Sequence, residues 1–254
     1  MTDQSGNDPP DEPPDEPAIP PAVHVGDDEE TRTGRFRLFR VLPAVPHLNL
    51  FAPESRRLYT VHGSNYRDDL QSRLDGFRTG DLLEGTLVGN PADPEAPWRL
   101  ARAERDPDAG VSLAFASGVS PEALPAAVRD DAALRERAAT DPVGRTLEHD
   151  GRPVGEVWLQ PRDPLPEDAF LPNVLAGLVP MEPWFERLPE VGEPTAEALV
   201  LDTATPEATR SDLPFGVVVF LTEAGRELGD HLRERYDLPT DRAADTRPDV
   251  DPYT

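Results

Sequence analysis

The chain contains no cysteine, no lysine and a single isoleucine, Ile19. Without cysteine there are no disulfide scaffolds, no Cys-based zinc sites and no thiol catalysis. Without lysine there is no Schiff-base chemistry and no phosphate-reading lysine for a Walker loop. Aromatic residues make up 6% of the chain. The longest unbroken apolar run, Val217 to Leu221 with Phe215 just before it, is far short of the roughly 20 residues a membrane span needs. Asp3, Asp8, Asp11 and Glu12 stand where a signal peptide carries positive charge and then an apolar stretch. A soluble, cytoplasmic protein with no membrane association is expected.

Acids and prolines are plentiful. The 254 residues hold 49 acids, 25 basic groups that are all arginine, and 31 prolines, for a net charge of −24 and a pI near 4.4. Hydrated carboxylates in such excess keep proteins soluble in molar salt, so the composition predicts a halophilic setting and carries no information on activity. Residues 1–33 hold ten acids, seven prolines and one arginine. With almost nothing apolar to offset the ordering entropy, they read as a disordered acidic arm. Residues 239–254 read as a shorter disordered acidic tail of the same character. The fold is expected within about 34–238.

Two modules are predicted there, together an α+β chain. The first, 34–116, is read as an OB-like or small β-barrel module. Its strand signals are Arg35 to Val41, with a change of alternation phase between Leu38 and Phe39 that a bulge or a strand crossing two faces requires, then Leu48 to Phe51, Leu58 to His62, Leu82 to Val88, Trp98 to Ala103 and Val111 to Ala116. Tyr66, Leu70, Leu74 and Phe77 recur at helical spacing among them, with Ser64 or Asn65 available as a cap. Five or six strands around one helix fit such a barrel. The second module, 117–238, is read as α+β: a helical stretch from Ser120-Pro121-Glu122, a hairpin around Asp150-Gly151, short helices between Ala169 and Leu188, strands Ala198 to Leu201 and Phe215 to Leu221, and a closing helix capped by Thr222 with Leu228, Leu232 and Tyr236 on its apolar face.

Four segments carry a resemblance: Phe39-Arg40-Val41-Leu42-Pro43, Gly80-Asp81-Leu82-Leu83-Glu84-Gly85-Thr86-Leu87 with the Trp98 strand after it, Gly155-Glu156-Val157-Trp158-Leu159, and Pro180-Met181-Glu182-Pro183-Trp184. On these the layout resembles an uncharacterised haloarchaeal domain family of unknown function, over roughly 35–238. The resemblance implies a haloarchaeal source and brings no assigned catalytic or binding residues.

No catalytic signature stands out. His24, His47, His62, His149 and His231 never fall in a spacing such as H-E-x-x-H, and Glu227 with His231 reads as an exposed helix pair, so no metal is expected. Ser64 and Ser117 lack the G-x-S-x-G elbow that exposes a nucleophile. The glycines form no dinucleotide or phosphate loop, and no cofactor is expected. Carboxylate pairs such as Asp202 with Glu156 are uninformative in a chain this acidic.

Charge is segregated, and that is the one informative pattern. Residues 34–105 hold eleven arginines against nine acids, a local balance of +2, whereas residues 1–33 carry −9 and 106–254 carry −17. Arg35, Arg37, Arg56, Arg57, Arg99 and Arg102 are therefore the candidate anion- or nucleic-acid-binding set, with Trp98, Tyr59 or Tyr66 as stacking partners. If five phosphates were neutralised, a slope of about −0.7 per phosphate would remove between four and five decades of affinity over a roughly twentyfold rise in salt, so binding in molar salt cannot rest on charge alone. Trp184 and Phe185, adjacent in a proline-flanked segment, are candidates for partner contact, with core packing as the plainer reading. The expectation is a non-enzymatic binding or regulatory protein. RNA binding through the arginine-rich module and a hydrolase with a cleft between the modules are the alternatives.

Overall fold

The computed structural model describes residues 25–40, 45–107, 109–179, 181–187, 195–204, 211 and 213–248. Strands dominate, in two five-stranded sheets. The first comprises β1 (Glu30–Arg40), β2 (His47–Ala52), β3 (Arg57–His62), β4 (Leu82–Gly89) and β5 (Arg99–Arg105), in the order β3-β2-β1-β4-β5 with every neighbour antiparallel. Helix α1 (Asp68–Gly76) lies between β3 and β4. Its Leu74 is buried with Phe36, Leu38, Leu50, Leu83 and Leu100 inside the curl of the sheet. At about 1.5–3 kcal/mol for each fully buried Leu or Phe, this cluster stabilises the curl.

The phase change at Leu38–Phe39 is no bulge. β1 runs in unbroken register against β2 and β4, with Phe36 and Leu38 facing the interior of the curl while Arg37 and Phe39 face outward. Both faces are buried there, so apolar residues follow one another. The edge strands β3 and β5 meet at a single parallel bridge, Val61 with Trp98, backed by backbone hydrogen bonds from Trp98 N to Thr60 O and from His62 N to Trp98 O. The expected barrel is thus a curled sheet with no continuous closing ladder. The N-cap of α1 is Arg67, with no side-chain cap bond, rather than Ser64 or Asn65.

The second sheet runs β6-β9-β10-β8-β7, from β6 (Ser112–Ala116), β7 (Val143–His149), β8 (Arg152–Pro161), β9 (Thr195–Leu201) and β10 (Phe215–Thr222). β6 pairs in parallel with β9 and all other neighbours are antiparallel. The sequence reading placed β6 in the first module. Its partner lies far along the chain, and nothing local to β6 records that pairing. β10 is buried along its length, with Val217, Val219 and Leu221 facing one layer and Val218 and Phe220 the other. One face of the sheet is covered by α2 (Ala126–Arg129), α3 (Ala132–Arg137) and α6 (Arg226–Arg235), with Leu228, Leu232 and Tyr236 of the closing helix turned inward as expected. Thr222 does not cap that helix; its hydroxyl donates to Val154 O at 3.2 Å.

The other face meets α4 (Phe170–Leu175) and α5 (Glu182–Arg187), which lie between the two sheets. α4 ends at Gly177, whose positive φ of 73° and close approach to Phe39 and Leu58 leave no room for a side chain. The polypeptide is therefore layered as α1 and the curled first sheet, then α4 and α5, then the second sheet, then α2, α3 and α6.

The termini differ from expectation where they are described. The expected arm at 1–33 lies outside the described residues as far as residue 24, but Glu30–Thr33 already belong to β1. Residues 239–248 of the expected tail lie against the body. Ser112 Oγ donates to Arg242 O at 2.8 Å, Phe115 N to Thr246 Oγ1 at 2.9 Å, and Arg242 pairs with Glu197 and Asp230. Tail residues 249–254 lie outside the described residues.

Asp150 and Gly151, with φ of 53° and 72°, join β7 to β8 as a type I′ turn requires. A Cβ at Gly151 meets open space, so the cost of Gly151→Val is purely conformational. Equilibrium denaturation should show a loss of about 1–3 kcal/mol. A second expectation concerns Tyr236, whose hydroxyl donates to Ala123 O at 2.9 Å and whose pKa burial pushes up from 10.0 to about 12. Below pH 10 the phenol is protonated in folded and unfolded chains alike and its contribution is intact. Between pH 10 and 12 the unfolded chain releases the proton first, so stability falls as pH rises. Tyr236→Phe should flatten that decline, leaving the part due to Tyr66, which burial shifts the same way.

Candidate functional site

Three of the residues singled out by sequence belong to the junction between the sheets. Arg37 is buried on the outer face of β1: its Nε donates to Glu182 Oε1 at 2.6 Å, a guanidinium nitrogen donates to Gly80 O at 2.7 Å, and its carbon sits 4.6 Å from the centre of the Phe185 ring. Trp184 stacks on Trp158 at 5.5 Å and meets Phe220 edge-on, as does Phe185 at 5.4 Å. Arg37 therefore offers no external anion a face. Trp184 and the partly buried Phe185 are packing residues, not a docking surface. Aromatic packing fills this part of the junction. The second oxygen of Glu182 is buried without a hydrogen-bond partner.

The remaining arginines divide by position. Arg99 grips both oxygens of Glu29 at 2.7 Å, and Arg102 pairs with Glu104 at 3.0 Å on the exposed side of β5. Arg56 is exposed in the β2–β3 turn with a φ of 53°. Only Arg35 and Arg57 of the expected set converge. β1 pairs with β4 from Glu30 to Arg37 but with β2 only from Arg37 onward, so residues 32–36 part from the β2–β3 turn. A cleft of about 560 Å³ opens between them, lined by Arg32, Arg35, Arg57, Tyr59, Phe36 and Glu54 among others.

The cleft is cationic. Its three arginines face one carboxylate, Glu54, in a chain of net charge −24. Arg32 is paired with Glu30, Arg35 reaches Asp106 only at 3.5 Å, and Arg57 makes no ion pair with a described residue. Tyr59 stands edge-on between Phe36 and Trp98, with centroids at 6.0 and 5.1 Å. A Cβ at Gly34, which shares the strand face of Arg32 and Phe36, meets nothing within 4 Å. Arg32 escaped sequence reasoning because the acid-rich composition carried the predicted arm to residue 33. The alternation of Thr31, Arg32, Thr33 and Gly34 into Arg35-Phe36 was the available signal.

A larger groove of about 740 Å³ runs between the end of α1, β6 and residues 241–247. Its five arginines and five aspartates cancel, so it has no preference for either sign. Burial and the neighbouring Arg247 lower the pKa of Arg40 on its wall, and Arg40 spends its donors on Phe77 O and Leu74 O at the end of α1.

Several charged residues inside apolar strands are structural. Asp202 accepts from Arg162, from Leu171 N at 3.1 Å and from Ala204 N at 2.9 Å. Glu197 holds the buried Arg233 and also Arg242, and Glu156 accepts the Trp158 indole at 2.8 Å. The rings of His47 and His62 face each other across β2 and β3 at 5.7 Å. No group of three or more metal-ligating side chains occurs among the described residues, and no helix there is long and apolar enough to cross a membrane.

A family model of unknown function, DUF6663, matches residues 28–243. The chain belongs to that family. No curated protein and no solved structure gives a significant match. The match takes in both sheets and their junction.

The Arg37–Glu182 pair generates a stability test. Glu182→Ala should cost about 3–5 kcal/mol in urea unfolding, since it leaves a buried guanidinium without its carboxylate. Arg37→Met combined with Glu182→Leu should recover most of that loss.

Proposed function

We propose that this DUF6663 chain is a non-enzymatic binding or regulatory protein that takes an anionic ligand in the cleft between β1 and the β2–β3 turn. The observation that carries the reading is the convergence of Arg32, Arg35 and Arg57 on an open 560 Å³ cleft in a strongly acidic chain. Charge of the minority sign gathered at one concavity focuses the field there and attracts anions.

The first sheet is best read as an OB-like module. Its strand order, the helix between β3 and β4 and the contact of β3 with β5 support that assignment. Modules of this kind bind oligonucleotides on the outer face of β2 and β3. In this chain that face is occupied: Phe51 and Leu58 pack into the junction, and Asn49 donates to Ala176 O at 2.8 Å. A ligand has to enter elsewhere, and the cleft is where the sheet remains open.

The test is fluorescence anisotropy of the full chain with three labelled polyanions: polyphosphate, single-stranded RNA and poly-glutamate. At least one should bind, and Arg57→Glu should weaken it at least tenfold, while Arg226→Glu on the second sheet's helical side leaves it unchanged. The reading fails if none binds, or if both substitutions weaken binding equally.

A further inference from the structure

We infer that the cleft's ligand is an acidic polypeptide segment that adds to the free edge of β1 as an extended strand. This rests on the reading of the cleft as the binding site and names the ligand class. From residue 32 to 36, β1 has β4 on one side and, among the described residues, no strand on the other. Its alternate N–H and C=O groups on that side form a template for another backbone. Five residues at about 3.3 Å each give an edge roughly 16 Å long, enough to pair with about five residues of an incoming strand.

Gly34 sits at the middle of this edge, opposite Gly85 of β4. A glycine inside a strand weakens it and often marks the place where another backbone approaches closely. The absence of any atom within 4 Å of the position its Cβ would take shows that the sheet face above it is open on the cleft side. The side chains flanking the edge define the chemistry. Arg32 lies on the inner face with Arg57 across the cleft, and Arg35 lies on the outer face. A strand inserted between them presents alternate side chains to these two sets, so carboxylates at both parities find a guanidinium partner.

Nucleic acid fits less well. A single strand gains much of its salt-resistant affinity from bases stacked on aromatic faces, and Tyr59, the aromatic side chain in the cleft beside Phe36, is held edge-on between Phe36 and Trp98. Phosphate contacts alone are lost steeply with salt. Main-chain pairing between neutral amides is not a counterion-release interaction, so a strand added to β1 keeps its affinity when the arginines are screened.

The experiment compares three labelled probes on the full chain by fluorescence anisotropy at 0.2 and 2 M KCl. They are a ten-residue peptide with Glu at both odd and even positions among Val and Thr, the same peptide N-methylated at successive residues of its centre so that both edges are blocked, and a single-stranded RNA of equal charge. The unmodified peptide should bind at both salt concentrations, and N-methylation should weaken it at least tenfold. Amide exchange of residues 33–36 should slow when it binds. Gly34→Phe fills the cleft and should abolish binding; if that variant does not fold, Arg57→Glu, on the exposed turn side, should weaken the peptide at least tenfold. RNA binding more tightly than the peptide, in an Arg57-dependent way, would overturn the strand inference and leave the anion cleft standing. Equal binding of the N-methylated peptide would also overturn it. If no probe binds, the strand inference falls, and polyphosphate binding then decides whether the anion cleft stands.

Discussion

The contact between the outer face of β1–β3 and the α4–α5 layer is the constraint on which the rest depends. Phe39, Phe51 and Leu58 on one side and Phe170, Val174, Trp184 and Phe185 on the other form one apolar layer, and Arg37 with Glu182 is the charged pair within it. The apolar surface supplies the stability, because desolvating two charges cancels much of what their attraction returns. The pair instead penalises misalignment. Any slip of α5 along the sheet would strand a guanidinium or a carboxylate in an apolar layer, where an unpaired charge is far costlier than an unmade contact. Glu182 already leaves one oxygen unpartnered, so the arrangement has little tolerance for a further shift.

Covering one face of the curled sheet has consequences elsewhere. The outer face of β2 and β3 is used up in packing, while β1, lengthened toward its start by Glu30–Thr33, runs on beyond the end of β2. The cleft is the gap this mismatch in strand length produces. Two of its arginines, Arg35 and Arg57, come from residues 34–105, where arginines outnumber acids, and Arg32 from just before them, while the rest of the chain carries a large acid excess.

Arginine as the sole basic side chain suits the remaining polar architecture. Arg162 with Asp202, and Arg233 with Glu197, are almost wholly buried, and each guanidinium also reaches backbone carbonyls. A planar five-donor group can satisfy a carboxylate and a carbonyl together, which a point-charge ammonium does less well. The Glu197 site also draws in Arg242, and so anchors residues 239–248 along the outer edge of β6, where Thr246 accepts the Phe115 amide. That segment has two prolines, two aspartates and two arginines among its ten residues and almost nothing apolar, yet specific partners hold it in place. Composition registers the missing apolar surface but not the polar contacts that replace it.

What the sequence determined by itself is what depends on near neighbours. The Asp150-Gly151 hairpin follows from two residues that tolerate positive φ between alternating runs, α1 from the recurrence of Leu70, Leu74 and Phe77, and β10 from five consecutive apolar residues. The mixed α+β character and most strand positions follow from the same periodicities. Tertiary structure decided three further things: that β6 joins the second sheet, that Arg37, Trp184 and Phe185 face inward, and that Arg32, rather than Arg99 or Arg102, stands with Arg35 and Arg57. Alternation tells which residues share a face of a strand, but whether that face meets solvent, a ligand or another layer depends on elements distant in sequence. Arg37 and Glu182 are 145 positions apart, and nothing local to either predicts their meeting.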